Sequence, residues 1–170
     1  KKKKFLFLNK KTEGQASTVY KSLKYLGKNE VVIVHSCDLS FKINVSLFKK
    51  KIQENDLLVF TAKGSNYHFK NHKNFSWVKK IKNTYKISLK KNFKNNKNAK
   101  VLIGTFAFKN KKIMKDLMEY TFKKKIKINN EYYMDTLIFI AQKMGYKLND
   151  LAVKKYHSWG SHSELLNYKN

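Results

Sequence analysis

The residues Val31-Val32-Ile33-Val34-His35-Ser36-Cys37-Asp38 decide how this chain is read: a run of β-branched apolar side chains that stops at a carboxylate. Such a run between polar flanks predicts a strand buried on both faces of a parallel sheet. In open α/β sheets ligands bind beyond the carboxyl ends of the strands, which is where Asp38 would stand. Taken alone, the stretch favours a plainer role for Asp38, as a residue capping the next turn.

On the N-terminal side, Phe5 to Leu8 is a short apolar run that predicts another strand, and Thr12-Glu13-Gly14-Gln15 is a turn. From Ala16 the apolar residues Val19, Tyr20, Leu23 and Leu26 recur at helical spacing, with Gly27 as the stop. Strand, helix and strand together predict a β-α-β unit with a parallel pair.

On the C-terminal side, Phe41 to Val45 reads as a short extended piece, Ser46 to Glu54 as a helix and Asp56 to Thr61 as a strand closed by Gly64. From Ser65 to Lys91 the pattern shortens: Trp77-Val78 and Tyr85 to Ser88 predict antiparallel hairpin strands around a Lys82-Asn83 turn. Lys91 to Lys100 is an Asn-rich loop. Val101 to Phe108 is a strong strand holding Gly104, and a glycine there marks a close backbone approach. Ile113 to Lys123 and Glu131 to Met144 are helical by period, Leu151 to Tyr156 is a strand, and Ser161 with Glu164 forms a capping box.

With 170 residues, 42% of them hydrophobic, the chain can bury one sizeable core, so residues 1–170 read as a single domain. The formal charge of +27 would ordinarily raise nucleic acid or an anionic membrane as partner. All 38 basic residues are Lys, however, and bidentate readers of phosphate and guanine rely on Arg. With abundant Asn and Ile and no Pro, the charge is read as codon bias on solvated surfaces, and nucleic acid is disfavoured as a partner. Cys37 is the only cysteine, which excludes an internal disulfide or a cysteine-based zinc site and suits a reducing cytoplasm. No stretch approaches the roughly 20 apolar residues that span a bilayer, so no membrane insertion is expected.

Glu131 and Asp135 stand four apart, on one face of the predicted helix, a spacing that surface charge produces far more often than metal chemistry. His68 and His72 are also four apart, in an Asn- and Lys-rich segment not expected to be helical, which disfavours a metal site. His157 beside Trp159 reads as packing at a sheet end. Ser17, Ser158 and Ser161 lack a nucleophile-elbow context.

Six segments then fall in a meaningful order: T-x-G-Q-A from Thr12, the apolar strand ending in Cys37-Asp38, I-S-x-K from Ile87, G-T-F-x-F from Gly104, N-x-E-Y-Y-x-D-T-L-I from Asn129, and Trp159-Gly160. In these the chain resembles the sugar-phosphate nucleotidyltransferase family, the makers of nucleoside-diphosphate sugars, and most of all its capsule and surface-polysaccharide branch. The resemblance runs from about Phe5 to Tyr168. It implies an α/β, Rossmann-like (GT-A-like) fold with a mostly parallel sheet flanked by helices and a small antiparallel hairpin portion. It also implies a reaction in which a sugar 1-phosphate oxygen attacks the α-phosphorus of a nucleoside triphosphate and expels pyrophosphate. Mg²⁺ is the implied cofactor, since holding two polyanions in line is metal and lysine work.

On that resemblance Asp38 is a Mg²⁺ ligand and Asp135 a second acid of the metal site. Other branches place that acid in a D-x-G segment where this chain has Ser158-Trp159-Gly160. Gly14 and Gln15 match the turn that meets the base, Gly104 a backbone position facing the sugar, and Glu131 a partner for sugar hydroxyls. Lys90 matches the lysine that meets the sugar phosphate, although the acid that usually precedes it is Leu89 here. The family's opening G-G-x-G-x-R loop has no counterpart, the six glycines being scattered at 14, 27, 64, 104, 145 and 160. The expectation is therefore a partial domain without the N-terminal third of the fold, inactive or nearly so alone. Two other readings stand beside it. One is a lysine-rich polyanion-binding module using Tyr67, Phe69, Phe75 and Trp77. The other is a related glycosyltransferase, which would need a D-x-D where this chain has Asp38-Leu39-Ser40.

Overall fold

The computed structural model describes residues 5–82, 84–90, 93 and 98–169, with side chains up to 166. In chain order its elements are α1 (Gln15–Ser22), β1 (Val32–His35), β2 (Leu39–Lys42), α2 (Val45–Glu54), β3 (Leu57–Lys63), α3 (Asn66–Lys70), β4 (Trp77–Ile81), β5 (Thr84–Ser88), β6 (Lys100–Phe108), α4 (Lys111–Lys123), α5 (Thr136–Lys143), β7 (Leu148–Ala152), β8 (Lys154–Ser158) and α6 (His162–Lys169). Asn83 of the expected hairpin turn, and most of the Asn-rich loop before β6, lie outside the described residues.

The main sheet has the order β5-β4-β6-β3-β7, with β1 also paired to β6. β3 and β7 are hydrogen-bonded in parallel, Val59 opposite Asp150, whereas β6 runs antiparallel to β1, β3 and β4. β1, β3, β4 and β7 therefore share one direction, and only β5 and β6 oppose it. This is a mostly parallel α/β sheet with an antiparallel hairpin portion. β2 and β8 form a separate antiparallel pair.

β3 is the strand buried on both faces, and its period of two feeds two cores. Leu57 and Val59 pack with Phe106, Phe108, Met114, Leu117, Leu137 and Ile138 against α4 and α5. Leu58, Phe60 and Ala62 pack with Ile52 of α2, Ile103 and Leu151 on the other face. Each such fully buried Leu or Phe contributes about 1.5–3 kcal/mol by leaving water.

Several sequence expectations are corrected. The run at Val31 is not buried on both faces: Val32 enters the core, but Ile33 is 52% exposed, because β1 joins β6 along one edge at the margin of the sheet. Phe5 to Leu8 is not a strand but an exposed segment outside regular secondary structure, so it forms no parallel pair with β1. The expected last strand is two, β7 and β8, broken at Val153, whose amide donates to the Thr61 carbonyl. The segment around His68 does form a helix, α3, held by a capping box in which His68 Nδ1 accepts from the Ser65 amide.

The helix expected from Glu131 begins only at Thr136. The backbone before it is already committed: Tyr132 N–H donates to the Glu13 carbonyl at 2.7 Å, and Ala16 N–H donates to the Tyr132 carbonyl at 3.0 Å. Glu131 also forms a bridge with Ile128. Extended pairing of this kind excludes helical geometry, so Glu131 and Asp135 do not share a helix face.

Candidate functional site

Asp38 lies in the turn between β1 and β2, three residues past the strand end at His35. Past β1 the chain turns sharply, and Asp38 is exposed beside a cleft of about 290 Å³ that also touches Ser36, Asn74, Gly104, Tyr156 and Glu164. Ser36 Oγ donates to Asp38 Oδ1, and the Asp38 carbonyl accepts from the Trp159 amide at 2.8 Å, so both ends of the residue are held. A Cβ on Gly160 would lie 2.9 Å from Asp38 Oδ2 and 3.7 Å from Glu164 Oε2, which means both carboxylates face the same spot.

Gly104 borders the same cleft, in mid-strand, with φ +67. The register between β3 and β6 shifts between Val59 and Thr61, opposite this residue, which makes it the left-handed residue of a bulge. Its nearest neighbour for a Cβ is Ser36 at 3.5 Å, an ordinary contact. The glycine is thus required by its φ, not by crowding from the opposing backbone.

Lys90 reaches this region from the end of the β4-β5 hairpin. Its Nζ donates to the Asn74 carbonyl at 2.9 Å and lies 5.6 Å from the Tyr133 ring centre. Asp135 stands at the start of α5, in helical geometry and without a capping hydrogen bond. Burial pushes its carboxyl above the usual carboxylate range, against the opposing pull of Ser76 and the Lys90 ammonium. Lys90 thereby links two of the predicted residues, its contact at Asn74 bordering the Asp38 cleft and its charge facing Asp135.

Gly14 and Glu131 are brought together by the pairing of the Glu13 to Ala16 turn with Tyr132: Glu131 Cβ is the third-nearest atom to a Cβ placed on Gly14. Gln15 is exposed at the first residue of α1. Asp38 and Asp135, in contrast, belong to separate surroundings, and Asp135 does not line the Asp38 cleft. Among the described residues no group of three His, Cys, Asp or Glu side chains is placed to hold a metal ion.

Glu164 is the residue whose place at the site the sequence did not reveal. Its capping-box spacing identified a helix start, and Ser161 Oγ does donate to Glu164 Oε2 at 2.9 Å. Nothing in that spacing says that the helix start faces Asp38 across Gly160. The aromatic residues proposed to grip a polyanion are occupied with one another. Phe69 stacks on the fully buried Trp77 at 5.0 Å, and Tyr67 and His68 meet Phe75 edge-on. His68 packs against these rings and Ser65, burial holding its imidazole pKa below the ordinary value.

No protein-family model matches the sequence, and no curated protein matches it. Solved structures do match the fold. The nucleoside-diphosphate-sugar pyrophosphorylase from Vibrio cholerae RC9 superposes with a TM-score of 0.73 at 16% identity, over 95% of this chain and 66% of that one. The inositol-1-phosphate CTP transferase from T. maritima gives 0.62 at 18% identity, over 89% and 58%. The 4-diphosphocytidyl-2C-methyl-D-erythritol synthase from Anaerococcus prevotii DSM 20548 gives 0.59 at 16% identity, over 92% and 63%. This chain therefore spans less than two thirds of each of their lengths. Among the described residues no helix is long and apolar enough to cross a membrane. With Asp38 in the turn after β1, Gly104 on the β6 bulge and four co-directional strands beneath them, the chain has the fold of the nucleotide-sugar pyrophosphorylases and related nucleotidyltransferases.

Proposed function

We propose that the chain carries the sugar side and the metal acid of a nucleotidyltransferase that joins a nucleoside triphosphate and a sugar 1-phosphate, giving a nucleoside-diphosphate sugar and pyrophosphate. The observation that carries this reading is the exposed Asp38 in the turn after β1, its carboxylate accepting from Ser36 and its backbone carbonyl from the Trp159 amide, bordering one cleft with Gly104 and Gly160. Ligands of open α/β sheets bind in that position.

The donor set suits Mg²⁺, which is commonly held by one or two carboxylates while phosphates and water complete its shell. Asp38 would hold the ion, with Glu164 as the second carboxylate facing the same spot. When bound, Mg²⁺ would draw phosphate oxygens together and neutralise charge between them. Asp135, its carboxyl raised above the usual range by burial, is better suited to hydrogen-bond a neutral hydroxyl than to ligate a cation. Lys90, anchored on Asn74, offers its remaining ammonium hydrogens to a phosphate. Gly14 and Gln15 would meet the base, Gly104 the sugar and Glu131 the sugar hydroxyls.

By the same reading the 170 residues alone lack the basic, glycine-rich grip on the triphosphate and are inactive or nearly so. Calorimetry with a nucleoside-diphosphate sugar should give Mg²⁺-dependent binding that Asp38→Ala removes; binding indifferent to both would sink the assignment. Steady release of pyrophosphate from a triphosphate and a sugar 1-phosphate by the isolated chain would overturn the inactivity.

A further inference from the structure

A cavity of about 820 Å³ lies at the ends of β3 and β7 and shares no lining residue with the Asp38 cleft. It is within the size range of small-molecule sites. We propose that it is a second binding site, for a small organic anion: an apolar ring or chain bearing one phosphate or carboxylate.

The sign of the ligand follows from the lining. Lys63, Lys80 and Lys100 face the cavity together with one carboxylate, Asp150. That carboxylate is already spent. Its Oδ2 accepts from Lys100 at 2.7 Å and from Thr61 at 3.1 Å, and its Oδ1 accepts from Tyr85 at 3.0 Å. With Lys100 paired to Asp150, the charges of Lys63 and Lys80 remain uncompensated, against no acceptor free to attract another cation.

In a chain with 38 lysines, a lysine near a cavity means little by itself. Lys100 differs because it is built in. Asp150 is only 8% exposed, fixed by Tyr85 and Thr61, and it anchors the ammonium of a side chain that stays 43% exposed. One ammonium hydrogen goes to Asp150 and two remain for a ligand. Such a supported first contact is what distinguishes a site from a charged surface.

The rest of the wall is apolar. Phe69, held on Trp77, lines the cavity with Val78, Ala152 and Val153. Gly64 is what allows that aromatic stack to close over the strand end, since a Cβ there would lie 2.8 Å from the Phe69 ring. A purely inorganic anion would leave this surface wet, so the ligand is organic.

The test uses the full chain, ¹⁵N-labelled, titrated separately with phenyl phosphate, benzoate and inorganic phosphate while the amides of Gly64 and Ala152 are followed by NMR. Saturable shifts at both amides with phenyl phosphate or benzoate are expected, the tighter of the two assigning the acid group, with inorganic phosphate at least about tenfold weaker. Lys63→Glu combined with Lys80→Glu should weaken binding roughly tenfold. Ala152→Trp should abolish it by filling the cavity, and Asp38→Ala should leave it unchanged. The proposal is overturned by absence of saturable shifts at these amides or by inorganic phosphate binding equally well. Binding that survives both the charge reversals and Ala152→Trp also overturns it, as do shifts that centre on Gly104 and Gly160 and vanish in Asp38→Ala.

Discussion

Gly14 and Tyr132 are packed so closely that a Cβ on the glycine would stand 2.7 Å from the tyrosine backbone nitrogen and 2.8 Å from its carbonyl oxygen. At φ +112 the glycine also occupies a backbone region that other residues rarely adopt. This contact joins the turn before α1 to the strand-like segment before α5, and thereby places Glu131 beside the proposed base-binding turn. Gly14→Ala must either break the pairing of Glu13 and Ala16 with Tyr132 or strain both, at a cost of about 2–4 kcal/mol. Urea unfolding measures it; a loss under about 0.5 kcal/mol would show that the pairing does not constrain the fold.

Asp150 gives the protein an acid-sensitive element. Burial would raise its pKa, but the Lys100 ammonium beside it, with Tyr85 and Thr61, outweighs burial and holds it below the usual carboxylate range. A folded-state pKa below the unfolded one stabilises the fold above the unfolded value, and that stabilisation is lost as pH falls through the folded value. Stability should therefore decline on acidification through and below the ordinary carboxylate range. Asp150→Asn should flatten that part of the profile, while Lys100→Met, leaving the acid without its cation, should cost about 1–3 kcal/mol at neutral pH. Thermal unfolding of the three proteins across acidic pH is the measurement, and parallel profiles for wild type and Asp150→Asn would contradict it.

Asp135 should behave in the opposite sense. Its folded-state pKa is raised, burial being the main cause, so ionising it works against the fold as pH rises above the unfolded value. It makes no capping hydrogen bond that substitution would remove. Asp135→Asn should then stabilise the protein at neutral pH by about 0.5–2 kcal/mol, with the gain vanishing at low pH where the acid is protonated anyway. Lys90→Met should raise the Asp135 pKa further, readable from its carboxyl chemical shift. A destabilising Asp135→Asn would show that the acid is held for structural reasons.

Gly160 separates folding from function at the proposed metal site. No positive φ demands a glycine there, so Gly160→Ala should change stability by less than about 1 kcal/mol. Its methyl would nonetheless stand 2.9 Å from Asp38 Oδ2 and displace the carboxylate. Mg²⁺-dependent binding of a nucleoside-diphosphate sugar should weaken roughly tenfold or more. Unchanged binding in a folded Gly160→Ala protein would remove the carboxyl end of β1 from the site.

The local signals in the chain were strong where one segment alone decides the outcome. The 3.6 period set α2 and α4, the apolar runs set β3 and β6, and the stretch from Val31 set a strand, β1, that ends at His35 just before the Asp38 turn, because burial of an alternating or periodic face is fixed by neighbours within a few residues. The order of six short segments also pointed to the nucleotidyltransferase fold. What the sequence could not decide were outcomes set by partners distant along the chain. Glu131 looked helical until Glu13 and Ala16 claimed the backbone of Tyr132, and Val31 to Val34 looked doubly buried until β1 proved to lie at the sheet margin, with β3 taking the central place. Likewise only the tertiary structure turns Glu164 toward Asp38, parts Asp135 from it, and assembles Lys100, Asp150 and Tyr85 around a second cavity. Periodicity determines which faces must be buried; which face meets which is settled by the whole chain closing at once, through contacts that no local pattern encodes.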